Sequence, residues 1–374
     1  MAGIYIHYPF CKQACHYCNF HFSTQLKHQD TVLESMFSEL EMRSSFLSSP
    51  IESIYFGGGS PSLLNTKWIG RWLELINKYF EMQPKIEITL EVNPDDATKG
   101  YLSSIRQAGI NRISLGIQTF DAAALKLMNR IHTVKQSKTA LEITANIFSN
   151  YSIDLMFGIP DNAIEQWNND IDNALFFNPA HISSYALTVE PKTVLAHQIG
   201  KGEIKMSDDE EVKIQYDHLV DRLCSLGYDH YELSNFGKPN YYSINNSNYW
   251  TGKPYLGIGP GAHSFDGKNM RCWNVSNNQL YIRKIKENVL PLTKEKLKLK
   301  ERFNEYVMTR LRTMWGISLE EVTTKFGIHF SNYLEKQAKK HFLTNNVYWD
   351  GDSLKIKKHS RFLTDGIASD FFIL

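Results

Sequence analysis

Ile4-Tyr5-Ile6-His7-Tyr8-Pro9-Phe10-Cys11-Lys12-Gln13-Ala14-Cys15-His16-Tyr17-Cys18-Asn19-Phe20 lies at the start of the chain. Its first residues are a short apolar run with β-branched and tyrosine side chains, which predicts a buried strand. The strand runs directly into three cysteines spaced C-x3-C-x2-C. Three thiols in one tight loop can turn toward a common point, and a thiolate-lined loop suits an iron–sulfur cluster or zinc. A closed structural zinc site takes four protein ligands, so zinc would have to recruit His16 or His21. A cluster on three thiolates keeps one iron open for a small molecule, which makes a reactive site. A redox dithiol is a third use of such a loop.

The 374 residues suffice for a large core and more than one domain, at roughly 100–200 residues per domain. Apolar residues make up 42% and charged residues 22%, the balance of a soluble globular enzyme. A formal net charge of +1 supplies no global field for nucleic acid or a membrane surface. No apolar run approaches the roughly 20 residues of a membrane span, and no signal-like segment precedes the first strand. A cytoplasmic protein without a transmembrane segment is therefore expected. Five cysteines, three of them bunched, do not fit a secreted disulfide framework. Cys224 and Cys272 read as small buried or half-buried side chains.

Beyond the cysteine loop, helical apolar spacing over 30–46, 68–80, 121–128, 135–148 and 164–177, with a short helix ending at Ala108, alternates with strands at 51–56, 86–92, 112–117, 152–157 and 182–187. Six strands alternating with helices predict parallel βαβ units. A closed barrel needs eight, so the pattern fits an open partial barrel or a doubly wound sheet. In either, ligand chemistry belongs at the C-terminal strand ends. The unusual residues fall there: the cysteines, then Gly57-Gly58-Gly59-Ser60-Pro61 after strand two, Glu91 near the end of strand three, and Gln118 after strand four, with Asp154 inside strand five. The glycines let backbone atoms approach a ligand, although they also suit a plain strand-to-helix turn. Glu91 is either a solvated strand-end carboxylate or a buried one in need of a partner.

The alternation stops near residue 191. Residues 208–226 predict an amphipathic helix, and the aromatic, Gly- and Asn-rich remainder up to 291 reads as ordered cover over the open side of the barrel. Residues 292–374 predict three helices, the third opened by Ser331, and a hairpin turning at Asp350-Gly351, an arrangement like a winged helix. This part carries 15 Lys and Arg against 10 Asp and Glu. No basic recognition helix with polar readers stands out, so it reads as a packing and docking domain, with no nucleic-acid partner expected. The domain division is 1–190, 191–291 and 292–374.

The C-x3-C-x2-C loop after the first strand resembles the radical S-adenosylmethionine (SAM) superfamily. The wider string Tyr-x-His-x-Pro-Phe-Cys, with Tyr17 before the last cysteine, is similar to the oxygen-independent coproporphyrinogen III oxidases and their haem-chaperone relatives. The resemblance covers roughly residues 3–374. It implies a (βα)6 partial barrel and a [4Fe-4S] cluster on Cys11, Cys15 and Cys18. It also implies SAM contacts from Tyr5, Tyr17, Gly58, Gly59, Ser60 (threonine in the family), Glu91, Gln118, Arg130 and Asp154, some of which serve a second SAM in the oxidases. The implied chemistry is reductive cleavage of SAM to methionine and a 5′-deoxyadenosyl radical, with the electron from a donor such as flavodoxin or ferredoxin.

Within the family, the oxidases oxidatively decarboxylate coproporphyrinogen III to protoporphyrinogen IX in porphyrin biosynthesis. They carry a fourth cysteine where this chain has Phe20, and an extension ahead of the first strand. Both differences point to the haem-chaperone group, which binds haem and passes it to an acceptor protein. Tyr231-Glu232-Leu233-Ser234-Asn235-Phe236 and Asn248-Tyr249-Trp250 also resemble that group. One difference points the other way: Asn245 stands where the chaperones carry a histidine, and an amide is a poor iron ligand beside imidazole or thiolate. His263, Cys272 or Cys224 would then supply the haem ligand, with Asn246 and Tyr249 beside it. Any enzymatic activity would be that of an oxygen-independent coproporphyrinogen dehydrogenase. The alternative outside this family is a zinc-binding interaction protein.

Overall fold

The structure is a computed structural model that describes residues 1–374. The strands β1 (Ala2–Tyr8), β2 (Ile51–Gly58), β3 (Met82–Val92), β4 (Arg112–Gln118), β5 (Tyr151–Phe157) and β6 (His181–Ala186) are parallel and lie side by side in sequence order. A doubly wound sheet reverses its order at a switch point; this sheet does not. Each right-handed crossover adds its strand on the same side, so the sheet curls into an arc of six βα units. The partial barrel is the architecture present.

The strands alternate strictly. Ile4, Ile6, Ile54, Phe56, Leu90, Ile113, Leu115, Ile153, Leu155 and Ile182 are buried in the main core, beneath crossover helices such as Gln29–Met42 and Thr66–Tyr79. The residues between them, including Tyr5, Tyr55, Glu91, Ser114, Asp154 and Ser183, face a central cavity. Strands of parallel sheets usually carry apolar residues on both faces. Here only the outer face does, because the inner one lines a polar lumen.

Residues 191–291 do not form a single cover. The strands β7 (Asp229–Glu232) and β8 (Asn235–Gly237) extend the sheet beyond β6. On the other edge β9 (Tyr255–Ile258) runs parallel to β1, followed by antiparallel β10 (His263–Phe265), β11 (Met270–Asn274) and β12 (Leu292–Lys296). The helix Ile244–Thr251 enters the barrel from below. The amides of Ile244 and Asn245 donate to Glu87 Oε1 at 3.0 and 3.3 Å, and Asn248 Nδ2 reaches Ser53 Oγ at 3.5 Å. Glu87 and Ser53 face each other in register, well short of the C-terminal ends of their strands, so this helix plugs the lower end of the arc and leaves the cysteine end open.

The C-terminal unit has helices Leu299–Leu311, Leu319–Phe326 and Ile328–Leu343 and the strands β13 (Ile317–Ser318), β14 (Val347–Asp350) and β15 (Ser353–Ile356), ordered β13-β15-β14. That is the winged-helix arrangement. The third helix starts three residues before Ser331, straight after Gly327, whose φ of 100° makes the corner. Because β12 pairs with β11, the expected boundary at 292 moves past the end of that strand. The unit docks through backbone bonds, Leu233 N to Arg312 O at 3.1 Å and Met314 N to Tyr231 O at 3.0 Å. No helix is long and apolar enough to cross a membrane.

A buried ion pair fastens the outer strands to the barrel. Glu39 accepts from Arg43 Nη1 at 3.0 Å, Asn274 Nδ2 at 2.8 Å and the Gly259 amide at 2.9 Å. Arg43 donates onward to Gly257 O and Ser264 Oγ, both at 2.9 Å. Removing one partner of a buried pair leaves an uncompensated charge. Arg43→Ala should therefore cost about 3–5 kcal/mol in urea unfolding; a loss below about 1 kcal/mol would show that the pair is not a fastening.

Candidate functional site

The cavity above the plug encloses about 620 Å³, within the range of small-molecule and cofactor sites. Cys11, Cys15 and Cys18 sit on its rim, and Tyr5, Tyr17, Gly58, Gly59, Ser60, Glu91, Gln118, Arg130 and Asp154 all line it. Every residue expected at the cluster and SAM sites is thus brought to one space from five strands and the loops beyond them. Asn246 and Tyr249 line it too, from the plug helix.

The cysteine loop is held from two sides. The Gly59 amide donates to Tyr8 O at 2.8 Å and the Ser60 amide to Phe10 O at 2.7 Å, which presses the glycine turn against the residue before Cys11. A Cβ on Gly59 would lie 2.5 Å from Phe10 O, so only glycine permits the approach. Opposite, the His16 amide donates to Met128 O at 3.1 Å, and Asn129 Nδ2 donates to Ala14 O at 2.8 Å. Enclosure pushes the Cys11 thiol up to about 11, although a Ser60 hydrogen bond works against this. A metal would have to supply the charge that ionises it.

Arg130 joins the loop to the barrel. Its Nη1 donates to Cys15 Sγ at 3.4 Å, and Nη2 donates to Asn93 Oδ1 at 2.9 Å and Gly116 O at 3.0 Å, while Nε is buried without a partner. Asn93 Nδ2 in turn donates to Ser60 Oγ at 3.0 Å. Gln118 holds a φ of 69°, a left-handed conformation rare outside glycine and asparagine and often found where a site stores strain.

Glu91 accepts from Tyr55 OH at 2.9 Å and the Gly58 amide at 3.2 Å. Enclosure pushes its carboxyl up to about 8, helped by the Asp154 charge and opposed by the Tyr55 bond. Asp154 is pushed up to about 6 by enclosure, against hydrogen bonds from Ser114 and the charge of Arg112. Two shielded carboxyls at the wall are poised for a cation, whose arrival would favour their ionised forms.

The donor set tests the metal readings. No three His, Cys, Asp or Glu side chains stand close enough to grip a single ion. Zinc would need all its ligands within about 2.0–2.3 Å of one point. Its prospective recruits are also engaged elsewhere, His16 Nδ1 with Leu127 O at 2.8 Å and His21 Nε2 with Asn278 Oδ1 at 2.7 Å. A multi-iron cluster tolerates the wider spacing because each thiolate meets its own iron. The three rim thiols, the backbone cradle at Gly59, the orphaned Arg130 Nε and shielded Glu91 together fit a cluster with a cationic amino-acid nucleotide beside it.

The haem candidates divide. Cys272 is buried and accepts from Arg43 Nη2 at 3.4 Å, so it is structural. Cys224, expected to be at least half-buried, is exposed on the helix Asp209–Ser225, away from the cavity. His263 is exposed on β10 with its ring stacked on Trp273 at 5.8 Å, outside the cavity lining. Asn245 is buried. Several lining residues escaped sequence reasoning, among them Tyr55, Arg112, Ser114 and Tyr185. Their signal was the polar half of each strand's two-residue period.

A thiolate loop above a parallel barrel arc, with a glycine cradle on the next strand, defines the class: residues 5–174 match the radical SAM superfamily. The chain is 32% identical to "Heme chaperone HemW" of Bacillus subtilis, over 92% of this chain and 93% of that protein. It is 30% identical to the protein of the same name from Mycobacterium tuberculosis, over 98% and 93%. The chain belongs to the HemW family of radical SAM proteins. Its fold is shared by the solved coproporphyrinogen III oxidase HemN of Escherichia coli, with a TM-score of 0.84 at 22% identity over 99% of this chain and 89% of that one. Membership in the superfamily implies a [4Fe-4S] cluster and SAM.

Two outcomes test the site. Gly59→Ala should sharply lower the iron and sulfide retained per chain after anaerobic reconstitution. Gly70→Ala, where a Cβ meets nothing within 4 Å, should retain the wild-type content; equal loading of the two variants would contradict the cradle. For Glu91, a carboxyl titrating near about 8 when folded and about 4.3 when unfolded stabilises the fold below the lower value. That stability is lost as pH rises through the higher one. The melting temperature of metal-free Glu91→Gln should therefore gain on wild type between about pH 5 and about pH 8 and level off above that. A constant difference would contradict the shielding of Glu91.

Proposed function

We propose that this protein is a haem chaperone of the radical SAM type, which binds haem and delivers it to an acceptor protein in the cytoplasm. The observation that carries the reading is the near full-length similarity to relatives named for that role. Phe20, at the position of the oxidases' fourth cysteine, agrees with it; its side chain is 67% exposed at the cavity rim.

In this reading Cys11, Cys15 and Cys18 hold the [4Fe-4S] cluster, and SAM lies along Gly58, Gly59, Ser60 and Glu91, with Tyr5, Tyr17, Gln118, Arg130 and Asp154 around it. When bound, the pair supplies one-electron cleavage of SAM. The protein's own residues position and shield: Glu91 faces the cationic end, Arg130 faces anionic groups, and the tyrosines exclude water. Asn246 and Tyr249 contact haem as wall residues. Burial raises the Tyr249 phenol well above its ordinary range, which favours its protonated form. His263, whose ring is exposed, is the remaining one of the expected iron ligands, and it would meet the iron from outside the cavity lining. The electron donor is of the flavodoxin or ferredoxin class.

Anaerobically reconstituted protein, given SAM, reductant and coproporphyrinogen III with a parallel haem titration, tests the assignment. Saturable haem binding without protoporphyrinogen is the expected result, and protoporphyrinogen formation would replace the chaperone reading with the oxidase. His263→Ala should shift the haem absorption spectrum; an unchanged spectrum and affinity would remove His263 as a ligand.

A further inference from the structure

Deep in the cavity one cation is enclosed without being satisfied. Arg112 opens β4 and faces inward, paired in register with Thr89 and two residues below the Glu91–Ser114 pair. Its side chain is 2% exposed and lines the cavity. Arg112 Nε has no hydrogen-bond partner. The nearest carboxylate atom, Glu87 Oε2, is 3.8 Å away, beyond hydrogen-bonding distance.

The neighbouring acids are engaged elsewhere. Glu87 Oε1 accepts the Ile244 and Asn245 amides at 3.0 and 3.3 Å, so Glu87 balances the charge of Arg112 without occupying its donors. The Asp154 oxygens accept from Ser114 Oγ at 3.0 and 3.1 Å. A desolvated guanidinium with open donors is costly unless an anion completes it, and its planar fork matches two carboxylate oxygens. The side chains of Tyr5, Tyr55, Tyr185 and Tyr249 line the same cavity, planar groups suited to a flat organic molecule.

We propose that Arg112 is the seat of a carboxylate belonging to the molecule bound in this cavity. From the Arg112 level to the rim at Asn93 is four residues of β3, roughly 13 Å at 3.3 Å per residue. A molecule anchored there by its acid extends up toward the cysteine loop. The acid that fits is a propionate of a tetrapyrrole, because the amino-acid end of SAM belongs at the rim, beside the cysteine loop, the glycine cradle and Arg130. This assignment rests on the haem reading above.

The test uses the full, cluster-loaded chain and measures affinity for haem and for haem dimethyl ester, with SAM as a control ligand that Arg112 should not affect. Arg112→Gln should weaken haem by roughly tenfold or more and leave haem dimethyl ester and SAM within about twofold. Arg112→Lys, which keeps the charge but not the fork, should lie between wild type and Arg112→Gln, and decides the matter if Arg112→Gln does not fold. Glu87→Gln should strengthen the same ligand, because it removes the competing charge. If wild type binds no haem, the chaperone reading fails and this proposal with it; if it binds haem and Arg112→Gln does not distinguish the acid from the ester, this proposal alone fails. The proposal is overturned if the substitutions change only the melting temperature and not the preference for haem over its dimethyl ester, or if Arg112 and Glu87 variants shift haem affinity in the same direction.

Discussion

Everything chemical in this protein depends on two backbone hydrogen bonds between the first two strands, Gly59 N to Tyr8 O and Ser60 N to Phe10 O. They bring the glycine turn of one strand against the residue that precedes Cys11 on the other. The thiols and the backbone cradle are thereby placed on a shared rim, although about fifty residues separate them in sequence. Side chains could not make this contact, since a Cβ at Gly59 would overlap the Phe10 backbone. Arg130 then locks the loop from the far side through Cys15, Asn93 and Gly116. The reactive corner is a junction of main chain, which varies little with side-chain motion.

Below that junction the barrel has an interior quite unlike a packed core. Its inward faces carry Glu87, Glu91, Arg112, Asp154 and a row of serines, closed from beneath by the helix Ile244–Thr251. Stability comes from the other face, where isoleucines, leucines and aromatics pack beneath the crossover helices. The polar lumen is only partly satisfied by itself: Arg112 Nε and Arg130 Nε have no partner, and Glu91 is held near neutrality at ordinary pH. Unsatisfied groups concentrated in one place are where binding energy is available. The distribution of polar residues thus separates the half of each strand that folds the protein from the half that serves ligands.

Much of this was legible in the amino-acid order. Six strands with helices between them, three cysteines after the first and glycines after the second define the site's place before any coordinates, because parallel units put their C-terminal ends together. The choice between a barrel arc and a doubly wound sheet was not legible, since both arise from the same local alternation and differ only in which strands become neighbours. The position of Ile244–Thr251 was also hidden. Its capping residue Ser243 and its terminating Gly252 mark a helix, but only the long-range contact with Glu87 turns it into a plug rather than a cover. Arg112 and Tyr55 were missed for a simpler reason. They occupy the polar phase of strands whose apolar phase drew attention, and Ile113-Ser114-Leu115 or Ile153-Asp154-Leu155 already showed that a supposedly buried parallel strand had a wet side.

The winged-helix unit contributes no side chain from its own residues to the cavity lining. It pairs with β7 through the main chain and lays the guanidinium of Arg312 over Trp250 at 5.2 Å, so it braces the plug helix from outside. The central claim remains the one at the rim: three thiolates hold an iron–sulfur cluster that opens onto a SAM-binding cavity. Electron paramagnetic resonance of the reduced, anaerobically reconstituted chain, recorded with and without SAM, addresses it most directly. The account predicts a cluster signal that changes shape when SAM is added and that is absent when Cys11, Cys15 and Cys18 are all replaced by alanine. A signal indifferent to SAM, or one that survives the triple replacement, would contradict it.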